Sequence, residues 1–298
     1  MNIRYYIKNP KALKYRIWEK TIAKTLSDEK YLKKAFKANV EKDLDLENPK
    51  TYNEKLQWLK LYDRKPIYTD MVDKAKAKEV AASIIGEEHI IPTLGIYEKF
   101  EDIDFDALPD SFVIKCTHDS GGLVIVKDKS KLNKAAARKK INRSLKRNYY
   151  LSVREWPYKN VKPRILIEKY MVDESGTELK DYKFFCFDGK VKLMFIATDR
   201  PYATKFDFYD ENFNHLPFTN GHPNATKEPK KPQGFDEMIA LAEKLSAGTI
   251  QLRVDLYNIN GKIYFGEFTF FHWGGMKKFE PEEWDYKIGE YIHLPIKN

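Results

Sequence analysis

The stretch IQLRVDLY at residues 250–257, followed after four residues by KIYFGEFT at 262–269, decides the fold of this chain. Both segments are rich in β-branched, aromatic and aliphatic residues, and the turn between them ends in glycine, which is typical of a β-hairpin. Because alternate side chains of a strand share a face, Arg253 and Asp255 should point to one side. The facing strand would then bring Glu267 close to Asp255. The pattern predicts a buried hairpin with charges on one face.

The charges on this hairpin indicate a binding site. The flanking residues are strongly apolar, and burying a charge without a partner is costly. Asp255 and Glu267 supply hard oxygen ligands of the kind that hold Mg²⁺ together with water and phosphate. Arg253 would neutralise the charge of a transferring phosphoryl group. The alternative is a structural salt bridge.

A second candidate site lies earlier in the chain. Lys115 stands within the apolar run 112–116, directly before a glycine-bearing loop. A lysine on a strand beside a loop whose glycines let backbone N–H groups approach an anion would form a cradle for a triphosphate. The alternative is an ordinary hairpin tip, since many hairpins end in such residues for reasons of turn geometry alone. The loop is His118-Asp119-Ser120-Gly121-Gly122.

The remaining pattern alternates helices with short strands, which predicts an α+β protein. Asp188-Gly189 supplies the positive φ angles of a tight turn and predicts the clearest hairpin of the chain. The other predicted elements are helices over about 10–45, 48–86, 131–147 and 235–247, and strands over about 90–97, 111–116, 123–127, 165–170, 182–187 and 191–198.

We expect four regions along the chain. They are basic N-terminal helices over 1–47, an N-terminal lobe over 48–110, a subdomain with the glycine loop over 111–170, and a C-terminal subdomain with the metal and substrate site over 171–298.

The composition favours a globular cytoplasmic protein. With 42% hydrophobic and 14% aromatic residues, the chain is far from the signature of disorder. It begins with a polar, basic segment and contains no apolar run of about 18 residues, so we expect neither export nor a membrane span. Cys116 and Cys186 have no metal-binding or disulfide spacing and are expected to be buried thiols.

Two basic patches hold most of the positive charge. Residues 1–40 carry a net charge of +8 and residues 127–147 a net charge of +9. Such patches attract acidic glycans or anionic lipid headgroups by screened Coulomb forces, and contact with the inner face of the membrane is one alternative. Solvated helix faces without a partner are the other. Nucleic acid is not expected, since no nucleic-acid motif accompanies the patches.

The order of these motifs resembles the ATP-grasp superfamily, which includes D-alanine–D-alanine ligase. The resemblance implies two sheet-bearing subdomains that clasp ATP, with ATP and Mg²⁺ as cofactors. It implies that Tyr170-Met171 meets adenine, that Asp181 takes the ribose hydroxyls, and that Arg253 and Lys115 are catalytic. The residues implied to bind ATP are Lys74, Lys115, His118, Asp119, Ser120, Gly121, Gly122, Glu168, Lys169, Tyr170, Met171, Asp181 and Lys183. For Lys74 the alternative is a solvated lysine, because Lys76 and Lys78 share its basic helix.

The resemblance also implies metal and substrate residues. Asp255 and Glu267 would hold the metal, and Thr269, which stands where the superfamily usually has asparagine, would add a neutral oxygen. The substrate loop would present glycine N–H groups to a developing oxyanion. The implied substrate-binding residues are Arg200, His272, Trp273, Gly274 and Gly275. Pairing with Asp199 is the alternative for Arg200.

More closely, the chain resembles the TupA-like ATP-grasp group of polysaccharide biosynthesis, over about residues 48–295. This likeness implies amide formation between the carboxylate of a uronic acid and the amine of an amino acid. Three alternatives remain at this point: an ATP-dependent small-molecule or sugar kinase, a glycosyltransferase, and a glycan-binding protein without catalytic activity. The matching segments are 51–59, 108–122, 154–158, 179–189 and 279–289.

Overall fold

A computed structural model describes Leu13, Tyr15, Ile17, Trp18 and residues 21–173, 179–199 and 203–295. The α-helices within these residues are α1 (Asp28–Val40), α2 (Tyr52–Tyr62), α3 (Ile67–Val72), α4 (Lys76–Ile85), α5 (Lys134–Leu145), α6 (Tyr150–Val153), α7 (Phe235–Ser246) and α8 (Glu283–Glu290). The strands are β1 (Thr93–Tyr97), β2 (Phe112–Cys116), β3 (Leu123–Val126), β4 (Ile165–Lys169), β5 (Asp181–Phe187), β6 (Lys190–Thr198), β7 (Lys205–Asp210), β8 (His215–Leu216), β9 (Thr219–Asn220), β10 (Gln251–Ile259), β11 (Lys262–Thr269) and β12 (Phe279–Glu280).

The helical stretch predicted over 48–86 is three helices, α2 to α4. Helix α2 begins at a capping box in which the Thr51 hydroxyl accepts a hydrogen bond from the Glu54 N–H, and the Glu54 carboxylate accepts one from the Thr51 N–H. Pro66 lies directly before α3, and the chain is extended at Asp73 between α3 and α4. Lys74 therefore lies in a turn, where its N–H donates to the Thr117 carbonyl at 3.0 Å.

The smaller sheet has the strand order β1-β4-β2-β3, and its strands are all antiparallel. One face buries Phe112, Ile114 and Ile167 in an apolar cluster that also contains Ile141 of α5. The two-residue period of a strand places the neighbouring residues on the opposite face. That face carries Lys115, with Val113 and Leu166, and it is free to line a cleft.

The larger sheet has the order β11-β10-β5-β6-β7-β8 and is also antiparallel. The predicted hairpins at 182–198 and 250–269 are both confirmed. One face packs against α7, where the Phe184 and Phe235 rings lie 6.1 Å apart. The opposite face carries the charged residues of the site.

The described part of the basic N-terminal region packs onto this body. Helix α1 buries Leu32, Phe36 and Val40 in the same apolar cluster as the larger sheet, while its lysines face solvent, as in the exposed Lys33–Glu29 pair. Among the described residues, none of the helices is both long and apolar enough to cross a bilayer.

Candidate functional site

Three charged residues form a row across the larger sheet. In the strand register Asp255 of β10 lies opposite Lys183 of β5 on one side and Glu267 of β11 on the other. The Lys183 ammonium contacts the Asp255 carboxylate and lies 3.5 Å from Asp181. Asp255 is 1% exposed, so its charge depends on these partners. The predicted proximity of Asp255 and Glu267 is confirmed by the register.

Arg253 is held by four hydrogen bonds. Its Nε and Nη2 donate to the two carboxylate oxygens of Asp255 at 2.7 and 2.8 Å. Nη2 also donates to Thr269 Oγ1 at 2.9 Å, and Nη1 donates to His272 Nδ1 at 2.8 Å. Burial opposes the charge of Arg253, but Asp255 and Glu267 outweigh it and raise the pKa of Arg253. The guanidinium is therefore a fixed, permanent cation at the floor of the cleft.

The bonding pattern assigns His272 a neutral state. Because Arg253 can only donate, Nδ1 of His272 accepts, and Nε2, 3.1 Å from Asn220 Oδ1, carries the proton. Burial, together with the charges of Arg253 and Lys183, places the pKa of His272 well below its usual range. His272 therefore orients Arg253. The sequence predicts a substrate contact for His272 and does not predict this contact with Arg253.

The smaller sheet supplies a buried lysine–glutamate–lysine cluster. Glu168 of β4 lies 2.5 Å from the Lys115 ammonium and 2.7 Å from that of Lys78. Burial raises the pKa of Glu168, but both lysines outweigh it, so the pKa is lowered overall. Lys78 also donates to the Ile91 carbonyl at 2.5 Å. The sequence predicts Lys74 as an ATP-binding residue and does not predict Lys78, although both are in the same basic segment.

A cavity of about 1130 Å³ opens beside this cluster. The predicted ATP-binding residues Lys115, Glu168, Lys169, Tyr170 and Met171 all line it. Exposed apolar side chains of β3 and an aromatic residue of β10 complete the walls: Leu123, Ile125 and Tyr257. A largely apolar cavity that also carries lysine side chains in its walls can take a purine base joined to phosphates.

The glycine loop is anchored at its base and open at its tip. His118 Nε2 lies 3.1 Å from the carbonyls of Ser144 and Arg147, so this imidazole turns toward α5. Asp119 contacts the Ser144 hydroxyl and accepts from the Gly122 N–H at 3.1 Å. Both residues are buried, whereas Ser120 and Gly121 are exposed. Of the predicted loop, only the tip at Ser120 and Gly121 is exposed and accessible to a ligand.

Two further contacts fix the position of this loop. Lys74 donates to the Asp119 carbonyl at 2.6 Å, so it supports the loop, and its charge also acts on Glu267. A Cβ on Gly122 would lie 2.5 Å from Cys116 Sγ and from Ser144 Oγ, so only glycine fits there. The buried thiol predicted for Cys116 is confirmed.

The two carboxylates of the row, Asp255 and Glu267, fit a magnesium ion that also binds phosphate. Glu267 is open to the cleft, with its side chain 44% exposed and its Oε1 3.6 Å from Arg253 Nη2. Burial raises its pKa, but Lys183, Lys74 and Arg253 outweigh burial and lower it, so the carboxylate is charged. Within the described part of the chain, no three His, Cys, Asp or Glu residues gather into a metal site. Two carboxylates that share an ion with phosphate oxygens are the usual arrangement for Mg²⁺.

The predicted substrate loop is fixed from below by α2. Gln57 Nε2 donates to the carbonyls of Gly274 and Gly275 at 3.0 and 2.8 Å, and the Lys60 ammonium donates to the Gly274 carbonyl at 2.7 Å. Trp273, Gly274 and Gly275 all have φ between 51° and 62°. The indole of Trp273 is 45% exposed. Arg200, the remaining predicted substrate residue, lies outside the described residues.

The smaller sheet lines a nucleotide-sized cavity with Lys115 and Glu168, and the charge of Glu267 on the larger sheet reaches Lys115. This pair of antiparallel sheets is an ATP-grasp fold. The chain belongs to the TupA-like ATP-grasp family, whose match covers residues 54–293. Both the predicted fold and the predicted family are thereby confirmed. No curated protein matches the chain.

Solved structures of ligases resemble the chain at low identity. A D-alanine–D-alanine ligase from Bacillus anthracis complexed with ATP is 19% identical, with a TM-score of 0.38, over 67% of this chain and 54% of that one. The corresponding ligase from Helicobacter pylori is 15% identical, with a TM-score of 0.43, over 82% and 69%. An ADP complex of N5-carboxyaminoimidazole ribonucleotide synthetase is 14% identical, with a TM-score of 0.44, over 82% and 57%. Because these scores are below 0.5, the assignment depends on the family match.

Proposed function

We propose that this protein is an ATP-dependent carboxylate–amine ligase that acts through an acyl phosphate. Its substrates would be the amine of an amino acid and the carboxylate of a uronic acid in a surface polysaccharide or its precursor. The observation that carries the proposal is the row Lys183–Asp255–Glu267 on the larger sheet, with Arg253 beside it. Charges of this sheet also act on Lys115, which pairs with Glu168 on the smaller sheet. Membership of the TupA-like family supports the same reaction class.

ATP would lie in the cavity between the sheets. Tyr170, Met171 and the apolar residues of β3 would enclose adenine, and Asp181 would accept hydrogen bonds from the ribose. Burial lowers the pKa of Lys115, but Glu168 and then Glu267 outweigh burial and raise it. Lys115 therefore remains a cation at neutral pH and would contact the phosphates, with the tip of the glycine loop closing over them.

Transfer of the γ-phosphoryl group would depend on charges that the chain holds in place beforehand. The fork of Arg253, fixed by Asp255, Thr269 and His272, would meet the negative charge that develops on the phosphoryl oxygens. Asp255 and Glu267 would hold Mg²⁺, which neutralises phosphate charge when bound. Thr269 already accepts from Arg253, so we assign it the positioning of Arg253 in addition to the proposed metal contact.

The substrate loop would receive the carboxylate. Its three consecutive left-handed residues directly follow His272, which contacts Arg253. The exposed indole of Trp273 and, outside the described residues, Arg200 would complete the acceptor site. The basic patches would contact an anionic glycan or the inner membrane surface. We also propose that the four regions of the chain meet near residues 47, 110 and 170.

The test is to incubate the protein with Mg²⁺-ATP and pools of uronic acids and amino acids, and to follow ADP, phosphate and product mass. A ligase requires both acceptors and yields ADP, free phosphate and an amide. ADP accompanied by a phosphorylated sugar would identify a kinase. Sugar transfer from a nucleotide sugar, with ATP unconsumed, would identify a glycosyltransferase.

A further inference from the structure

Glu155 is a buried acid beside the cleft that the proposed roles leave unused. It is 5% exposed, and within the described residues its carboxylate makes no direct hydrogen bond or ion pair, although the charge of Lys60 acts on it from a longer distance. The other buried acids of the site are paired: Glu168 with two lysines, and Asp255 with Arg253 and Lys183. An unpaired buried carboxylate costs folding free energy. A ligand that provides the missing donor would explain why it stands there.

The backbone aims Glu155 at the substrate loop. Arg154 has a left-handed φ of 53°, and its guanidinium stacks 4.9 Å from the Tyr31 ring and donates to the Ala23 carbonyl at 2.7 Å. Arg154 is thus tied to the N-terminal helices, while the next residue turns inward. A Cβ built on Gly274 would lie 3.6 Å from Glu155 Oε1, which places the carboxylate against the loop.

Four titratable groups face Glu155. Lys60 of α2 and Arg253 of β10 oppose the effect of burial, which raises the pKa of Glu155 to about 7. Lys60 cannot satisfy the carboxylate, because its three protons go to Gln57 Oε1 and to the carbonyls of Val153 and Gly274 at 3.1, 3.0 and 2.7 Å. Burial and the charge of Glu155 raise the pKa of Tyr149 and of Tyr158, so both remain phenols.

We propose that Glu155 receives the ammonium group of the amine substrate and accepts its proton, a role that rests on the proposed ligase function. The proton passes from nitrogen to a carboxylate oxygen of Glu155. The freed lone pair forms the C–N bond with the acyl carbon, the C–O bond to phosphate breaks, and phosphate leaves with the electron pair. The second proton of the nitrogen goes to the departing phosphate.

The location suits this step. The charge of Arg253, which would hold the phosphoryl group, acts on Glu155, and Glu155 lies against Gly274 of the loop that would present the acyl carbon. A general base works best when its pKa is near the working pH, and such groups contribute about 10²- to 10⁴-fold in rate. Glu155 therefore serves the second half-reaction and leaves acyl phosphate formation to Arg253 and Lys115.

The experiment separates the two halves with two nucleophiles. Wild type and Glu155→Gln are incubated with Mg²⁺-ATP and either glucuronate or galacturonate, then with hydroxylamine or with the standard amino acids. Hydroxylamine is uncharged at neutral pH and attacks acyl phosphates without a base. We expect Glu155→Gln to keep hydroxamate formation within about threefold and to lose about 100-fold or more in amide formation at pH 7. Amide formation by the variant should recover as the pH approaches the pKa of the amine.

Asp207→Asn is the matched control, because Asp207 is a fully buried acid on the opposite face of the larger sheet. It should leave the ratio of amide to hydroxamate unchanged. Equal losses of both products in Glu155→Gln, or no recovery at high pH, would overturn the role of Glu155. Wild type that forms neither hydroxamate nor ADP would instead overturn the ligase proposal, and the role of Glu155 with it.

Discussion

Replacing Gly275 by alanine tests how the substrate loop is held. Gly275 has φ of +61°, and an added Cβ would lie 2.3 Å from Gln57 Nε2, 2.9 Å from Leu56 Cβ and 3.2 Å from the Asn53 carbonyl. The left-handed backbone costs about 1–2 kcal/mol for a residue with a Cβ, and overpacking against α2 adds about 1–3 kcal/mol. We expect Gly275→Ala to lower the free energy of unfolding by about 2–5 kcal/mol.

Gly248→Ala is the matched control for this change. Gly248 has φ of +76°, but an added Cβ would meet nothing within 4 Å, so only the backbone cost of about 1–2 kcal/mol applies. Urea denaturation followed by circular dichroism gives both free energies of unfolding, and the ligase assay gives turnover. Gly275→Ala should cost more stability than Gly248→Ala and should reduce turnover, while Gly248→Ala should not. Equal stability losses in the two variants would refute the tight contact between the loop and α2.

The remaining predictions concern charged residues of the cleft. Glu267→Gln should reduce ATP turnover by two orders of magnitude or more with an unchanged thermal midpoint, since Glu267 is half-exposed; near-normal turnover would exclude it as a metal ligand. Lys78→Met should raise the KM for ATP about tenfold, because Glu168 would retain only Lys115, and isothermal calorimetry with ADP checks the affinity. Because the pKa of folded His272 is depressed, the unfolded chain binds the extra proton below pH 6.5, and stability should fall by up to about 1.4 kcal/mol per pH unit there. His272→Asn should flatten that slope in urea denaturation at pH 5 and 7, and an unchanged slope would contradict the neutral assignment.

The charged hairpin could be predicted because its information is local. Apolar alternation around Arg253 and Asp255 fixes which side chains share a face, and the short turn brings Glu267 to the facing strand. The pairing with Lys183 could not be read in the same way, since it depends on β5 lying beside β10 and 72 residues separate the two partners. The hairpin pattern therefore predicts Arg253, Asp255 and Glu267 as site residues, but it does not predict that Lys183 neutralises Asp255.

The missed residues have long-range partners. In α2, Asn53, Gln57 and Lys60 follow a helical period, but the sequence predicts only a helix for this segment. A polar stripe at this spacing is usually a solvated face, and only the loop 217 residues later makes it structural. Lys78 could not be predicted for the same reason, because its partner Glu168 lies 90 residues away.

The contacts between α2 and the last quarter of the chain have a consequence for synthesis. Asn53 binds the Asp285 carboxylate through its N–H and its side-chain amide at 2.9 and 2.8 Å, across 232 residues. During translation, Asn53 therefore remains hydrated and without its protein partner until Asp285 has left the ribosome. Such late contacts are slow to form, so a nascent chain arrested before residue 272 would hold the nucleotide cavity without its acceptor loop. The proposed ligase activity would therefore appear only near the end of synthesis, when the acceptor loop and α2 can make their contacts.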